Sequence, residues 1–198
     1  NAAVITGISG DFADVHAVTV GSRASDITTD GDYTVTIDDA MSQANIAHLN
    51  AIAADTSQVI TGNLTADNVT NAATIETDNN DLVAVTITAG MSAGNIGALN
   101  QTASRTGGVV TGTLTASASQ AASLTTSSND LIAVVLTAGG ATGEILNNID
   151  GKTGAVINAT AITDLSGPID DLETARASAG INTDTDYNVS VLAQMTPG

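Results

Sequence analysis

Residues 82–92 read Leu-Val-Ala-Val-Thr-Ile-Thr-Ala-Gly-Met-Ser, and residues 32–42 read Asp-Tyr-Thr-Val-Thr-Ile-Asp-Asp-Ala-Met-Ser. Met41 and Met91 lie 50 positions apart, and an Asn-Ile pair and a Leu-Asn pair follow each of them at matching distances. A third copy begins at Ile132 and a fourth at Asp186. Because the order of matched residues is kept over so many positions, the sequence indicates an internal repeat of about 50 residues.

A second family of short apolar runs alternates with the first. It reads Val-Ile-Thr-Gly at residues 4–7 and 59–62, Val-Val-Thr-Gly at residues 109–112 and, in a degraded form, Val-Ile-Asn-Ala at residues 156–159. Each repeat therefore contains two β-branched runs, about 25 residues apart, of the kind that forms strands.

The intervals between the runs carry helix signals. Ser42 is placed to cap a helix whose apolar stripe is Ile46, Leu49 and Ile52, and another helix is expected after Pro168. Strands joined by crossovers of more than a dozen residues are almost always parallel neighbours with right-handed connections. The pattern therefore predicts an α/β fold, a parallel right-handed β/α solenoid of about eight coils in roughly 50-residue double-coil repeats.

The expected organisation is one solenoid domain over residues 1–198. Its two-coil repeats fall at approximately 1–57, 58–108, 109–154 and 155–198. An all-β sandwich ranks lower, because Ala-rich segments with a 3.6-residue period fit poorly into strands.

Composition narrows the class of protein further. Aromatic residues make up only 2% of the chain, so burial must come from many small aliphatic side chains in thin layers. The net charge of −17, with 4 basic and 21 acidic residues, argues against nucleic acid and anionic membranes as partners. The absence of cysteine excludes disulfides and thiolate metal sites, and no apolar run approaches the roughly 18 residues that span a bilayer.

The ends of the sequence bear on its partners. The chain starts with Asn1 rather than Met and opens almost directly on a strand of the repeat, and it stops where the next helix is expected. Neither end resembles the caps that solenoids need over their apolar end layers. We therefore expect either an excerpt of a longer array or ends that stack on other copies of the chain.

Acidic turns recur at one place in the repeat and are the best candidates for a metal site. Oxygen ligands in flexible turns suit Ca²⁺, which takes six to eight of them. The alternative is that Asp and Asn only form the turns and cap neighbouring elements, and no EF-hand pattern is present. The candidate calcium ligands are Asp30, Asp32, Asp78, Asp81, Asp184 and Asp186.

A search for catalytic chemistry finds little. His16 and His48 each lack a second His or a Cys at ligand spacing, which favours histidines on a helix face or in a loop. Gly151-Lys152-Thr153 resembles the end of a phosphate-binding loop, but Leu146 occupies the position of its first glycine, so a turn between coils is expected. The sequence predicts that the chain is not an enzyme and has no catalytic or cofactor-binding residues.

Two further polar patterns are weaker. Thr-x-Thr pairs begin at Thr34, Thr86 and Thr111, but they fall at different phases of the two strand families. No continuous threonine ladder of the kind that orders water in ice-binding solenoids is therefore expected. Asn-x-Ser/Thr motifs, which permit glycosylation without establishing it, occur at Asn63, Asn68, Asn100, Asn158 and Asn188.

The segments 145–153, 155–165 and 169–181 resemble repeats of giant cell-surface and extracellular proteins of marine cyanobacteria, including the one implicated in swimming motility. The similar part covers most of residues 32–192. The resemblance implies a long repetitive chain on the outer surface of a cell, in surroundings rich in Ca²⁺, and it supplies no catalytic residues.

Together these features predict a structural module of an extracellular surface protein, stacking end to end into a fibre, a layer or a long adhesin stalk. The alternatives are a solenoid that binds glycans or another surface ligand, and a segment of a viral tail fibre. A polysaccharide-degrading solenoid ranks last, because such enzymes use clustered carboxylates with basic or aromatic contacts to sugars.

Overall fold

The structure is a computed structural model that describes residues 5–21, 24 and 31–192. Contacts divide the chain into two compact units. Unit 1 comprises Asn1–Ala89 and Gln101–Thr111, and unit 2 comprises Gly90–Asn100 and Gly112–Gly198. Over the described ranges, no helix combines the length and the apolarity needed to cross a membrane.

Strands and helices alternate along the described chain. In order they are β1 (Gly7–Gly10), α1 (Phe12–Thr19), β2 (Thr34–Ser42), α2 (Ile46–Asp55), β3 (Ile60–Ala66), α3 (Val69–Ala72), β4 (Leu82–Ile87), β5 (Met91–Ser92), α4 (Ile96–Ser104), β6 (Val110–Ala116), α5 (Ala118–Ala121), β7 (Leu131–Leu136), β8 (Gly139–Thr142), α6 (Gly143–Asp150), β9 (Ile157–Ala159), β10 (Ile162–Gly167), α7 (Ile169–Ala177), β11 (Ile181–Thr183) and β12 (Asn188–Val191). Single 3₁₀ turns at Gln43–Asn45 and Ala93–Asn95 lead into α2 and α4.

Unit 1 is built on a parallel sheet in the order β1-β2-β3-β4, followed by the first residues of β6. Ile8 pairs with Val35, Val35 with Ile60, and Val85 with Val110. The strand order follows the chain, as expected when each strand is joined to its parallel neighbour by a helical crossover.

Unit 2 contains two sets of parallel strands. β5 lies beside β6, and the same set continues through β7 and β9 to β11. A second set has the order β12-β10-β8, with Leu165 of β10 paired with both Ala141 and Val189. The α/β class and the parallel pairing predicted from the repeat are therefore confirmed within each unit.

The helix predictions also hold. Ser42 and Ser92 begin 3₁₀ turns with reciprocal capping bonds to Asn45 and Asn95, and α2 follows with its predicted stripe buried. Helix α7 begins directly after Pro168.

The sequence pattern did not predict the second strand set of unit 2. The segment 157–167 is four residues longer than β6, and a turn at residues 160–161 divides it into β9 and β10. The pairing of β10 with β8 is irregular at the same point, between Ile162 and Asp164. An insertion inside a strand cannot keep the pleat in register, so the two parts join different neighbours.

The core consists of small aliphatic side chains at equivalent positions of the repeat. Val35, Val85 and Val134 are each fully buried. Two aromatic side chains also belong to the core, Phe12 and Tyr33, and the hydroxyl of the fully buried Tyr33 donates to Asp55. A buried phenol needs such a partner for its polar end.

A buried threonine closes the turn that follows each of the helices α2, α4 and α6. Thr106 donates its hydroxyl hydrogen to the Val83 carbonyl at 2.7 Å and accepts from the Gly108 N–H at 2.9 Å. Thr153 makes the same two bonds in the next repeat, to the Ile132 carbonyl at 2.8 Å and from the Ala155 N–H at 3.0 Å. Thr56 is the third member of this set, which we call the threonine latches. Each latch joins two stretches of backbone more than 20 residues apart in the sequence.

The residue after two of these latches must be glycine. A Cβ at Gly107 would lie 2.5 Å from the Asn79 carbonyl oxygen, and one at Gly154 would lie 2.6 Å from the Ser128 carbonyl oxygen. Gly151-Lys152-Thr153 and the following Gly154 lie in the turn after α6, as predicted for this segment.

We predict that Thr106→Val destabilises the protein by about 1–3 kcal/mol, because it leaves the Gly108 N–H and the Val83 carbonyl without their partner. The matched control is Thr65→Val, at an exposed position on β3, which should stay within about 0.5 kcal/mol of wild type. Urea unfolding followed by circular dichroism measures both. Equal losses of unfolding free energy for the two variants would show that the latch contributes nothing to stability.

Candidate functional site

The carboxylates of the acidic turn before β4 accept hydrogen bonds from backbone N–H groups. One oxygen of the Asp81 carboxylate accepts from the Ile60 N–H at 2.7 Å and the other from the Asp78 N–H at 2.9 Å. Asp78 in turn accepts from the Asn80 N–H at 2.7 Å. In unit 2, Asp130 has a related role, accepting from the Ser127 N–H at 2.8 Å. These carboxylates cap turns through hydrogen bonds to the backbone.

The other calcium candidates are more scattered. Asp32 accepts from the side-chain amide of Gln58. Asp184 accepts from the Thr185 N–H at 2.7 Å, and Asp186 is exposed nearby in the sequence. Asp30 lies outside the described residues. Within those residues, no group of three or more acidic or histidine side chains is arranged to hold a metal ion.

A shallow groove in unit 1 runs beside the Asp78–Asp81 turn. Gln58, Glu76, Asp78 and Asp81 are among its lining residues. Among the described residues, no histidine, cysteine or basic side chain lines the groove. The groove is therefore an acidic surface that is open to water.

The two histidines meet in space, although the sequence separates them by 32 positions. His16 on α1 and His48 on α2 stack with ring centroids 4.1 Å apart, and Phe12 lies 6.1 Å from His16 on the same side of unit 1. Both lie on helix faces, as predicted, but their proximity was not foreseen because it depends on how α1 packs against α2. The lone pairs of an imidazole lie in the ring plane, so two stacked rings do not converge on one metal ion.

Burial lowers the pKa of His16, and the neighbouring charge on His48 lowers it further. The folded chain therefore binds fewer protons at this site than the unfolded chain, and stability falls as the pH drops below the ordinary histidine pKa of 6.5.

We predict that His48→Gln raises the pKa of His16 by removing the charge repulsion while leaving the burial. It should also reduce the loss of thermal stability between pH 7.5 and pH 5. Imidazole NMR titration and thermal melts at the two pH values measure these effects. An unchanged His16 titration would show that the two rings do not interact in solution.

Two asparagines, Asn50 inside α2 and Asn100 inside α4, bridge their helices to a later segment of the chain. The Asn100 amide donates to the Ser123 carbonyl at 2.9 Å and accepts from the Thr125 N–H at 2.9 Å. Asn50 does the same in unit 1, donating to the Thr74 carbonyl at 2.9 Å and accepting from the Glu76 N–H at 2.8 Å. The side chain of Asn100, which belongs to a glycosylation motif, is thus hydrogen-bonded within the protein. The side chains of Asn63 and Asn158 are exposed on strands.

The outer face of unit 1 carries a row of hydroxyl groups across four parallel strands. Ser42 pairs with Thr65, Thr65 with Thr86, and Thr86 with Thr111. Neighbours in such a row stand about 4.8 Å apart. Within the described residues, the hydroxyls of Thr65, Thr86 and Thr111 form no hydrogen bonds with protein groups, so they are available to water or a ligand.

The prediction that no continuous ladder exists is therefore wrong for unit 1. The pairing of β2 with β3 shifts between Thr36 and Ala40, and this irregularity brings Ser42 into line with Thr65. Residues at different positions of the two strand families can therefore align across the sheet, because the strands pair with a shifted register. The sequence pattern does not reveal these shifts.

No family model, curated protein or solved structure matches this chain significantly. Its function must therefore be inferred from the repeat, the latches, the asparagine bridges and the strand faces described above.

Proposed function

We propose that this chain is a non-enzymatic structural module of an extracellular surface protein, a β/α solenoid of about eight right-handed coils that assembles end to end into a fibre, layer or stalk. The observation that carries this proposal is that the same hydrogen-bonded ties between distant segments of the chain recur with the period of the repeat. Thr106 and Thr153 form matching latches, and Asn50 and Asn100 form matching bridges.

Recurrent ties of this kind serve a scaffold rather than a reaction centre. Each coil is held by its neighbours through the same few hydrogen bonds. Further coils can therefore be added with the same contacts. A catalytic site would instead need an arrangement of groups found once in the chain.

Charge and composition support an extracellular setting. Two copies of a chain with a net charge of −17 repel each other at low ionic strength, and the repulsion fades once salt shortens the screening length to about 8–10 Å. The resemblance to surface proteins of marine cyanobacteria points to the same salty surroundings. A viral tail-fibre segment would share these features.

We predict that the purified chain associates reversibly as its concentration and the NaCl concentration rise, because screening weakens the repulsion between acidic copies. Light scattering combined with electron microscopy measures the mass and length of the particles. If Ca²⁺ is a structural ligand of the acidic turns, millimolar Ca²⁺ should promote association more than Mg²⁺ at equal ionic strength, and EDTA should reverse the effect. A discrete monomer under all of these conditions would count against assembly.

A second candidate function is binding of an ordered polysaccharide, or of ordered water in ice, through the hydroxyl row. The observation that favours it is the register of Thr65, Thr86 and Thr111 on an outward strand face. A flat row of equally spaced hydroxyls matches a ligand that itself repeats hydroxyl or water groups at regular intervals.

For this candidate we predict that Thr86→Arg abolishes retention on insoluble cellulose or chitin, or the shaping of ice crystals, because a long charged side chain interrupts the row. Thr70→Arg, at an exposed position on α3, is the matched control and should behave as wild type. Sedimentation with the polysaccharide and ice-crystal microscopy provide the readouts. Absence of binding by wild type, or equal binding by both variants, would rule out the row as a binding face.

A further inference from the structure

Four large apolar side chains are exposed on the outer face of the strands, at two equivalent positions of the repeat. Leu82 and Leu131, the first residues of β4 and β7, are 51% and 47% exposed. Val109 and Val156, which directly precede β6 and β9, are 37% and 55% exposed. A single exposed apolar residue is common on protein surfaces and needs no explanation. Recurrence at the same two positions of the repeat makes these residues a property of the fold.

In unit 2 these side chains belong to one surface. The register of β7 with β9 places Ala133, which is partly exposed, opposite Val156. Leu131 precedes Ala133 by two residues on the same face, and a Cβ at Gly154 would lie 3.6 Å from the Cδ2 atom of Leu131. Leu131 therefore extends over the backbone that leads to Val156. We call Leu131, Ala133 and Val156 the apolar patch of unit 2.

Unit 1 carries the equivalent surface. The register of β4 with β6 places Ala84 opposite Val109, and Leu82 precedes Ala84 by two residues on the same face. The same three residue types, Leu, Ala and Val, thus occupy the same three positions in both units. Each of these surfaces lies well inside the sequence, between strands that the structure describes on both sides.

The strands that carry these side chains contain no charged residue. Strands β4, β6, β7 and β9 consist only of aliphatic residues, Gly, Thr and Asn, although the chain has 21 acidic residues. The acidic residues just before β4 and β7, Asp81 and Asp130, are buried and accept hydrogen bonds from backbone N–H groups. A contact between two copies through these strands therefore sets no charged strand residue of one copy against a like charge of the other.

We propose that the apolar patch of unit 2 docks on the same patch of a second copy, with the two sheets face to face. This rests on the proposed function and adds to it a lateral contact, through which end-to-end fibres join into a layer. A second copy fits this face because its strands have the same spacing of about 4.8 Å, so the side-chain rows of the two sheets match. The contact uses the same surface on both copies, and apolar burial stabilises it.

The test compares two substitutions of exposed apolar residues in unit 2. Val156→Asp places a carboxylate in the patch, close to the same carboxylate of the second copy. Ile169→Asp, on α7, is the matched control, because Ile169 is 50% exposed and lies outside the patch. Sedimentation equilibrium is measured for wild type and both variants at rising NaCl concentration, with EDTA and with Ca²⁺. Circular dichroism verifies that each variant is folded.

We expect Val156→Asp to raise the dissociation constant of the lateral pair on the order of tenfold or more, because like charges are brought together in an apolar contact. Ile169→Asp should stay within about twofold of wild type, since a surface substitution away from the contact changes little. High salt should strengthen the association of wild type in EDTA, because it screens the repulsion between acidic copies and leaves apolar burial intact.

A second measurement locates the contact. The chain has no cysteine, so Thr113→Cys introduces a single thiol at an exposed position of β6, the strand next to β7. A short bismaleimide should link two copies of this variant on the order of tenfold more efficiently than two copies of Asn148→Cys, because docking raises the local thiol concentration. Asn148 is an exposed residue of α6 in the same unit.

The outcomes separate the two proposals. If wild-type chains associate but Val156→Asp associates as tightly as Ile169→Asp, the patch is not the contact and assembly proceeds through other surfaces. Association that requires Ca²⁺ and disappears in EDTA would assign the contact to the acidic turns instead. If wild-type chains stay monomeric at every concentration and salt condition, the proposed self-assembly itself fails.

Discussion

Thin layers of small aliphatic side chains must be covered by the adjacent strand, and the rest of this structure depends on that requirement. With aromatic residues at 2% of the chain, no single side chain can fill a thick core, so burial is shared among residues such as Val35, Ile60 and Val85. Each contributes a modest hydrophobic free energy, roughly 25 cal/mol per Å² of apolar surface removed from water. The energy is realised only where another strand lies against the first.

The turns that follow α2, α4 and α6 create a polar requirement inside the same thin layer. The backbone must leave a helix and start a new strand next to buried side chains, and its N–H and C=O groups there cannot all reach water. Thr56, Thr106 and Thr153 meet this requirement with one hydroxyl each. Asp81 and the two bridging asparagines satisfy other backbone groups in the same way. Within the described residues, no buried side-chain polar atom lacks a partner.

Much of the fold follows from sequence periodicity. The 50-residue repeat, the β-branched runs and the serine caps predict the strands, the crossovers and their parallel pairing, because these depend on local preference and chain connectivity. The second strand set of unit 2 depends on the greater length of the segment 157–167, whose effect appears only when neighbouring strands compete for pairing. The hydroxyl row and the stacked histidines likewise depend on register and on helix packing, which a single sequence does not specify.

The candidate sites were predictable to a smaller extent. The acidic turns stand out in the sequence, but the role of Asp81 as an acceptor for two backbone N–H groups becomes clear only from the geometry. The threonine latches are hidden in a chain rich in threonine, since burial is what distinguishes Thr106 from Thr65. A signal was nevertheless present, because a charged residue precedes each latch at Asp55, Arg105 and Lys152.

The bridge formed by Asn100 has a consequence for the order of events during biosynthesis. Its amide nitrogen is already bound to the Ser123 carbonyl, in the seam between a helix and the next segment. A sugar transferred to that nitrogen would replace one of its hydrogens and bring a bulky hydrated group into the seam. An oligosaccharide transferase acting on the finished protein would therefore modify the exposed Asn63 and Asn158 in preference, and only an enzyme acting on the nascent polypeptide would reach Asn100.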